Sequence, residues 1–141
     1  MNCPLCAAAK DEGLLFFDGK LSAAFVPTNP LNDFHCLVVP KRHITKLSGF
    51  TGDELKEMFD TIARISSFIE ANYPGSAVVV MNRKTNSTVP HLHFPVVNSE
   101  GGLRHMVAAH TGCDRHPEVP RERLEELRRE YGEFASHELT D

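Results

Sequence analysis

The stretch Val89-Pro90-His91-Leu92-His93-Phe94-Pro95-Val96-Val97 constrains this chain more than any other. β-Branched and aromatic residues dominate it, and the side chains of a strand alternate between faces. His91, His93 and Pro95 then share one face, and Leu92, Phe94 and Val96 share the other. Two imidazoles point the same way, roughly 7 Å apart along the strand. The opposite face is apolar enough to enter a core.

The flanking sequence supplies a sheet and a helix to build around that strand. Leu14 to Phe17 and Leu21 to Val26 flank Asp18-Gly19, a dipeptide that favours a two-residue hairpin turn. Turn-forming residues from Pro27 to Asp33 lead into a third strand, His35-Cys36-Leu37-Val38-Val39, which Pro40 stops. Thr51 with Glu54 three residues on reads as a capping box, and Leu55, Met58, Phe59, Ile62, Ile65 and Ile69 recur at helical spacing up to Pro74-Gly75. Ser76 to Met81 is a fourth strand and Val89 to Val97 the fifth. Pro120 opens a last helix with a stripe of Leu124, Leu127, Tyr131 and Phe134. The order predicts an α+β fold: a mostly antiparallel five-stranded sheet, one long central helix and a C-terminal helix. It suits a single domain over 1–141, with a knuckle at 1–10 and a C-terminal extension from 101 whose helix starts near 120.

Composition narrows the classes of function. Hydrophobic residues make up 41% and charged residues 24%, ordinary for a globular protein. Fifteen Lys and Arg stand against nineteen Asp and Glu, a formal charge of -4, which argues against a sequence-blind nucleic-acid binder. No apolar run approaches the roughly 20 residues of a membrane span, and the first residues do not read as a signal peptide. The expectation is a cytoplasmic, reducing location in which the cysteines serve as thiols or metal ligands.

A histidine pair on one strand face has three readings: histidines without a task, a two-tooth metal chelate, or a nucleophile for phosphorus, since a neutral imidazole attacks well. Cys3-Pro4-Leu5-Cys6, His43 and His91 together offer two thiolates and two imidazoles, the ligand set of a tetrahedral zinc site. The Cys-x-x-Cys half is the stronger signal, because long gaps separate the histidines. If His91 binds metal, His93 becomes the candidate nucleophile. His105, His110, Cys113 and His116 are either a second metal site or a histidine-rich surface loop.

Phe25, the segment His35-Cys36-Leu37-Val38-Val39-Pro40-Lys41-Arg42-His43, the long helix, Asn82 and Val89-Pro90-His91-Leu92-His93-Phe94 resemble, in matching order, the histidine triad superfamily of nucleotidyl hydrolases and transferases. The resemblance runs from Cys3 to about Val97. It implies that His93 attacks the α-phosphorus of a nucleotide derivative and forms a nucleotidyl-histidine intermediate. It implies that His35 lies close to the active site, where it or a water beside it supports proton transfer. Asn82, Ser87 and Thr88 fall in or beside the family's phosphate-cradling loop, and their amide and hydroxyl donors suit that task. Zinc-bearing members pair a Cys-x-x-Cys with histidines like His43 and His91, which implies one structural zinc per chain on Cys3, Cys6, His43 and His91. The resemblance also implies a homodimer and a small-molecule nucleotide substrate.

The chain departs from the family pattern at three places. Pro95 stands where the motif has its third histidine, removing both a side-chain donor and a backbone N–H, and it predicts that the strand is an edge or kinks there. The loop from Asn82 to His91 lacks the family's glycines, with Lys84, Asn86 and Ser87 in their region. Pro27 takes the place of the acidic residue that binds ribose, with Thr28 or Asn29 as substitutes. The leading expectation is a zinc-containing nucleotidyl hydrolase or transferase working through His93, with Arg83, Lys84 or Arg104 offsetting phosphate charge. The alternative is a non-catalytic, zinc-stabilised binder of a nucleotide or phosphate ligand. A hydrolase using the His-x-His chelate directly is weaker, because no carboxylate follows at close spacing.

Overall fold

The structure, a computed structural model, describes residues 3–13, 15–27, 30–81, 91–112 and 118–138. Contacts divide the chain into two compact units, Met1–Met106 and Val107–Asp141.

The first unit is built on a five-stranded sheet. Its strands are β1 (Leu15–Asp18), β2 (Ser22–Phe25), β3 (His35–Pro40), β4 (Ser76–Val79) and β5 (Phe94–Ser99), arranged β1-β2-β3-β5-β4. All four pairings are antiparallel, as the expected α+β architecture requires. A short helix α1 (Pro4–Ala8) precedes the sheet, and the long helix α2 (Gly52–Asn72) connects β3 to β4.

α2 starts where the sequence says it should. The Thr51 hydroxyl accepts from Glu54 N–H at 3.1 Å, and the Glu54 carboxylate accepts from Thr51 N–H at 2.9 Å, so two N-terminal donors are satisfied reciprocally. The helix buries Met58, Ile62, Ile65 and Ile69 against Ala24, Cys36, Val38, Phe94 and Val96 of the sheet. Met58 and Ile69 are wholly buried, and each such side chain contributes about 1.5–3 kcal/mol through removal from water. The stripe lies differently from its expected position at Phe59, which is 52% exposed while Glu54 and Thr61 are buried. Phe59 still touches the edge of Phe94, ring centroids 6.0 Å apart.

The other sheet face carries a smaller cluster. Ala23, Phe25 and Val39 pack against Leu5 and Ala9, so the N-terminal knuckle sits on the face opposite α2. The pairs Leu37↔Pro95 and His35↔Val97 put His35, Leu37, Pro95 and Val97 on that same side.

Four expectations need correction. The β1–β2 connection is Gly19-Lys20-Leu21, longer than a two-residue turn, and Gly19 has no positive φ. It closes because Gly19 N–H bonds Ser22 O at 2.9 Å and the Glu57 carboxylate of α2 accepts from Leu21 N–H and from the Ser22 hydroxyl. Tertiary bonds replace the local turn chemistry.

Pro95 does not mark an edge, since β5 lies between β3 and β4. In an antiparallel pair a residue's N–H and C=O face the same neighbour. Pro95 O accepts from Val80 N–H at 3.0 Å, so the missing donor faces the end of β4, and β3 loses nothing. This also explains why β4 stops at Val79 when a strand to Met81 was expected: beyond Val79, Pro95 has no N–H to continue the ladder. The fifth strand itself runs later than expected, from Phe94 to Ser99, with Val89 and Pro90 outside the described residues.

After β5, Gly102–Thr111 form helix α3, a stretch that sequence left unassigned. His105 and His110 are exposed on it, while Cys113 and His116 lie outside the described residues. In the second unit α4 (Arg121–Glu138) begins directly after Pro120, whose carbonyl accepts from Arg123 and Leu124 N–H. Its stripe of Leu124, Leu127, Tyr131 and Phe134 is exposed, each residue by at least 40%. No helix among the described residues is long and apolar enough to cross a membrane.

Candidate functional site

Four residues distant in sequence meet beside the start of β5. The knuckle brings Cys3 and Cys6 together through its short helix, where Cys6 N–H lies 3.5 Å from Cys3 Sγ. His43 follows β3, and Leu92 N–H bonds Ile44 O at 2.7 Å, tying the His43 segment to the chain around His91. His91 Nδ1 lies 3.4 Å from Cys3 Sγ and 3.3 Å from Cys6 Sγ, and Cys6 Sγ lies 3.3 Å from His43 Nδ1. One ligand atom from each of the four residues falls within 4.8 Å of the others.

That geometry fits zinc. Bond lengths of about 2.3 Å to sulfur and 2.0–2.1 Å to nitrogen put tetrahedral ligand atoms about 3.3–3.8 Å apart. Proton placement agrees: His91 Nε2 is 3.0 Å from Pro40 O, and a carbonyl only accepts, so Nε2–H donates and Nδ1 carries the lone pair toward the sulfurs. Burial lowers the His91 pKa, with further lowering from His43 and His93, and so favours the neutral ring that a metal needs. Burial and Cys3 raise the Cys6 thiol pKa. Cys3, Cys6 and Cys36 are all free of disulfides.

The supports of this cluster are partly ones sequence did not single out. Arg42, next to His43, donates to both Glu54 carboxylate oxygens at 3.1 and 2.7 Å and to Gly49 O at 2.6 Å. The Arg42 guanidinium and the Thr51 N–H hold Glu54 down at about 2. The loop carrying His43 is thereby fastened to the N-terminus of α2. The Pro40 carbonyl left no signal in sequence; Glu54 did, through its capping box, though not for this second task.

His93 is buried beside the cluster. Its Nδ1 lies 2.9 Å from His91 O, so Nδ1–H donates to that carbonyl and the neutral ring carries its lone pair on Nε2. His35 is also buried. Leu31 N–H donates to its Nδ1 at 3.1 Å, which leaves the proton of the neutral ring on Nε2, and that buried atom has no hydrogen-bond partner among the described residues. Burial lowers the His35 pKa, and the nearby His93 lowers it further. Pro95 stands between them on the sheet face, paired with Leu37. Asn82, Ser87, Thr88, Arg83 and Lys84 lie outside the described residues; Arg104 is exposed on α3.

The description "HIT domain" matches residues 9–101. The chain belongs to the HIT-domain family. This HIT-domain chain is 33% identical over 86 residues to the Schizosaccharomyces pombe protein named bis(5'-nucleosyl)-tetraphosphatase [asymmetrical], a match covering 59% of the chain and 47% of that protein. It is 29% identical over 86 residues to the Dictyostelium discoideum bis(5'-adenosyl)-triphosphatase, covering 59% and 58% respectively. It thus spans about half the length of the curated relatives it matches. Among solved structures, a Candida albicans histidine triad nucleotide-binding protein superposes with a TM-score of 0.73 at 18% identity, covering 96% of this chain and 99% of that one. A HIT family protein from Bacillus subtilis gives 0.71 at 21% identity, covering 94% and 96%. These likenesses show the fold.

Proposed function

We propose that this chain is a nucleotidyl hydrolase whose nucleophile is His93, acting on a nucleotide phosphoanhydride, phosphoester or phosphoramidate. The observation that carries the reading is the His93 Nδ1–H bond to His91 O, because it leaves the lone pair on the other ring nitrogen. In the reaction Nε2 attacks the α-phosphorus, a phosphorus–nitrogen bond forms, and the bond to the leaving group breaks with its electron pair. Water then attacks the nucleotidyl-histidine, the phosphorus–nitrogen bond breaks, and the pair returns to Nε2 while the water proton passes to solvent. The unpaired His35 Nε2–H is a ready donor to a phosphoryl oxygen, and Asn82, Ser87 and Thr88 hold the phosphate. Relatives named as nucleotide hydrolases support the reaction class. Hydrolysis is preferred to transfer because no acceptor site is evident among the described residues.

Cys3, Cys6, His43 and His91 hold one structural zinc in this reading, which fixes His91 and with it the carbonyl that orients His93. A reducing, cytoplasmic location keeps both thiols available, and the chain pairs as a homodimer. A second reading, a non-catalytic nucleotide binder, is favoured by one observation: apolar Pro95 occupies the sheet position beside His93. Turnover of mono- and dinucleotide substrates by the zinc-loaded protein, compared with His93→Ala, separates them. Activity lost in the variant supports the hydrolase; tight binding with no turnover by either protein supports the binder.

A further inference from the structure

We infer that Asn98 is a positioning residue: with Asn32 it fixes the backbone of residues 31–34, and through the Leu31 N–H it sets the orientation and tautomer of the His35 ring. For turnover the inference rests on the hydrolase reading above; for the state of the His35 ring it rests on hydrogen bonds alone.

His35 opens β3, and its Nδ1 accepts from Leu31 N–H at 3.1 Å. A backbone N–H only donates, so this bond holds the ring's lone pair on Nδ1 and the proton of the neutral ring on Nε2. The bond is as well placed as Leu31 is. The Leu31 side chain is 68% exposed, so its own packing does not fix that backbone, and the residues that follow it must.

Those residues are held by Asn98. It lies near the end of β5, where alternation places it with Phe94 and Val96 on the side that faces α2. It is 2% exposed, and a buried amide is costly without partners. Its hydrogen bonds converge on one segment and its support. Asn98 N–H donates to Phe34 O at 3.3 Å, and Phe34 N–H donates to the side-chain Oδ1 of Asn98 at 3.0 Å. Asn98 O accepts from the Asn32 Nδ2 at 2.8 Å, while Asn98 Nδ2 donates to Pro74 O at 3.1 Å, just beyond the end of α2. Asn32 Oδ1 in turn accepts from Asp33 N–H at 2.9 Å. Residues 32, 33 and 34 are thus each bonded into one clasp, and Leu31 is the next residue along. The Phe34 ring packs on Phe68 and Tyr73, centroids 5.4 and 5.2 Å apart, which holds the segment down; the directional amide bonds set its course.

The test is nitrogen-15 NMR of the zinc-loaded protein labelled on histidine, at mildly alkaline pH, beside steady-state kinetics. His35→Phe identifies the His35 signals. The unaltered chain is expected to show His35 in one neutral form, protonated on Nε2. Asn98→Leu keeps the bulk and removes the amide. In that variant the His35 ring is expected to shift toward the Nδ1–H tautomer about fivefold, the worth of one hydrogen bond. Its kcat is expected to fall about tenfold or more with KM changed less than about twofold, because a small misplacement far from the chemistry is costly in rate. A lowered melting temperature with the His35 tautomer and kcat unchanged would make Asn98 structural only and overturn the inference. A tautomer shift without a change in kcat overturns its role in turnover and leaves the hydrolase reading intact. If Asn98→Leu does not fold, Asn32→Ala, at an exposed position, decides by the same two readouts. No turnover of any nucleotide substrate by the unaltered chain overturns the hydrolase reading and with it the role in turnover, and the tautomer measurement still decides the clasp.

Discussion

The His93 ring donates to the backbone carbonyl of His91, 2.9 Å away, while the His91 ring donates to Pro40 O at 3.0 Å and turns its other nitrogen toward Cys3 and Cys6. One residue thus orients the proposed nucleophile through its backbone and meets Cys3, Cys6 and His43 through its side chain. Each of these two rings has one nitrogen committed to a carbonyl, and the different tasks proposed for them fall to the remaining nitrogens.

Metal content provides the first check on this arrangement. Purified protein is expected to contain one zinc per chain, and Cys6→Ser to lose it. Because metal binding of this kind is coupled to folding, the variant or a chelated sample should melt about 10 °C or more below the loaded protein. Elemental analysis beside a thermal melt reads both. Unchanged melting on complete zinc removal would count against a structural role.

His35→Phe separates function from packing. A planar aromatic ring is kept, the Nε2–H donor is lost, and Leu31 N–H loses its acceptor. Stability should fall by only about 1 kcal/mol, the net worth of one hydrogen bond, while kcat should fall about 10²-fold, as for removal of a donor aimed at developing charge. Urea unfolding and steady-state kinetics on the same sample test this. A loss confined to KM would assign His35 to binding alone.

The Arg42–Glu54 pair makes a pH prediction. The folded-state pKa of Glu54 is depressed to about 2 from the ordinary value of 4.5, by Arg42 first. The associated stability is present above the unfolded pKa and is lost as pH falls from about 4.5 toward 2. Arg42 is about half exposed, so solvent screens the pair and its contribution at neutral pH is small. Glu54→Gln should remove that part of the acid dependence in denaturant titrations between pH 5 and 2.5. A variant with an unaltered acid profile would show that the pair contributes nothing.

The parts of the molecule legible in sequence were those set by short-range rules. Thr51 and Glu54 announced the helix start, the spacing of Met58, Ile62, Ile65 and Ile69 announced its buried side, and alternation around Leu92, Phe94 and Val96 announced which side of the last strand enters the core. The Cys3, Cys6, His43 and His91 cluster was legible from donor chemistry alone, and the four do meet. What could not be read depends on partners far along the chain. The Gly19 connection is held by Glu57 and so takes a form that Asp18-Gly19 does not dictate. Pro95 reads in sequence as an edge or a kink, because sequence does not reveal which neighbour its missing N–H faces. The His35 tautomer rests on Leu31, a backbone donor that has no signature in sequence.

The proposed hydrolase reaction turns on covalent nucleotidylation of His93. The direct measurement is intact-mass analysis of the zinc-loaded protein, quenched under alkaline denaturing conditions within the first turnovers of an aryl nucleotidyl ester, followed by peptide mapping. A transient added mass of one nucleotidyl group is expected on the peptide containing His93, absent from His93→Ala. Steady turnover with no adduct at any quench time, or an adduct that persists in His93→Ala, would contradict it.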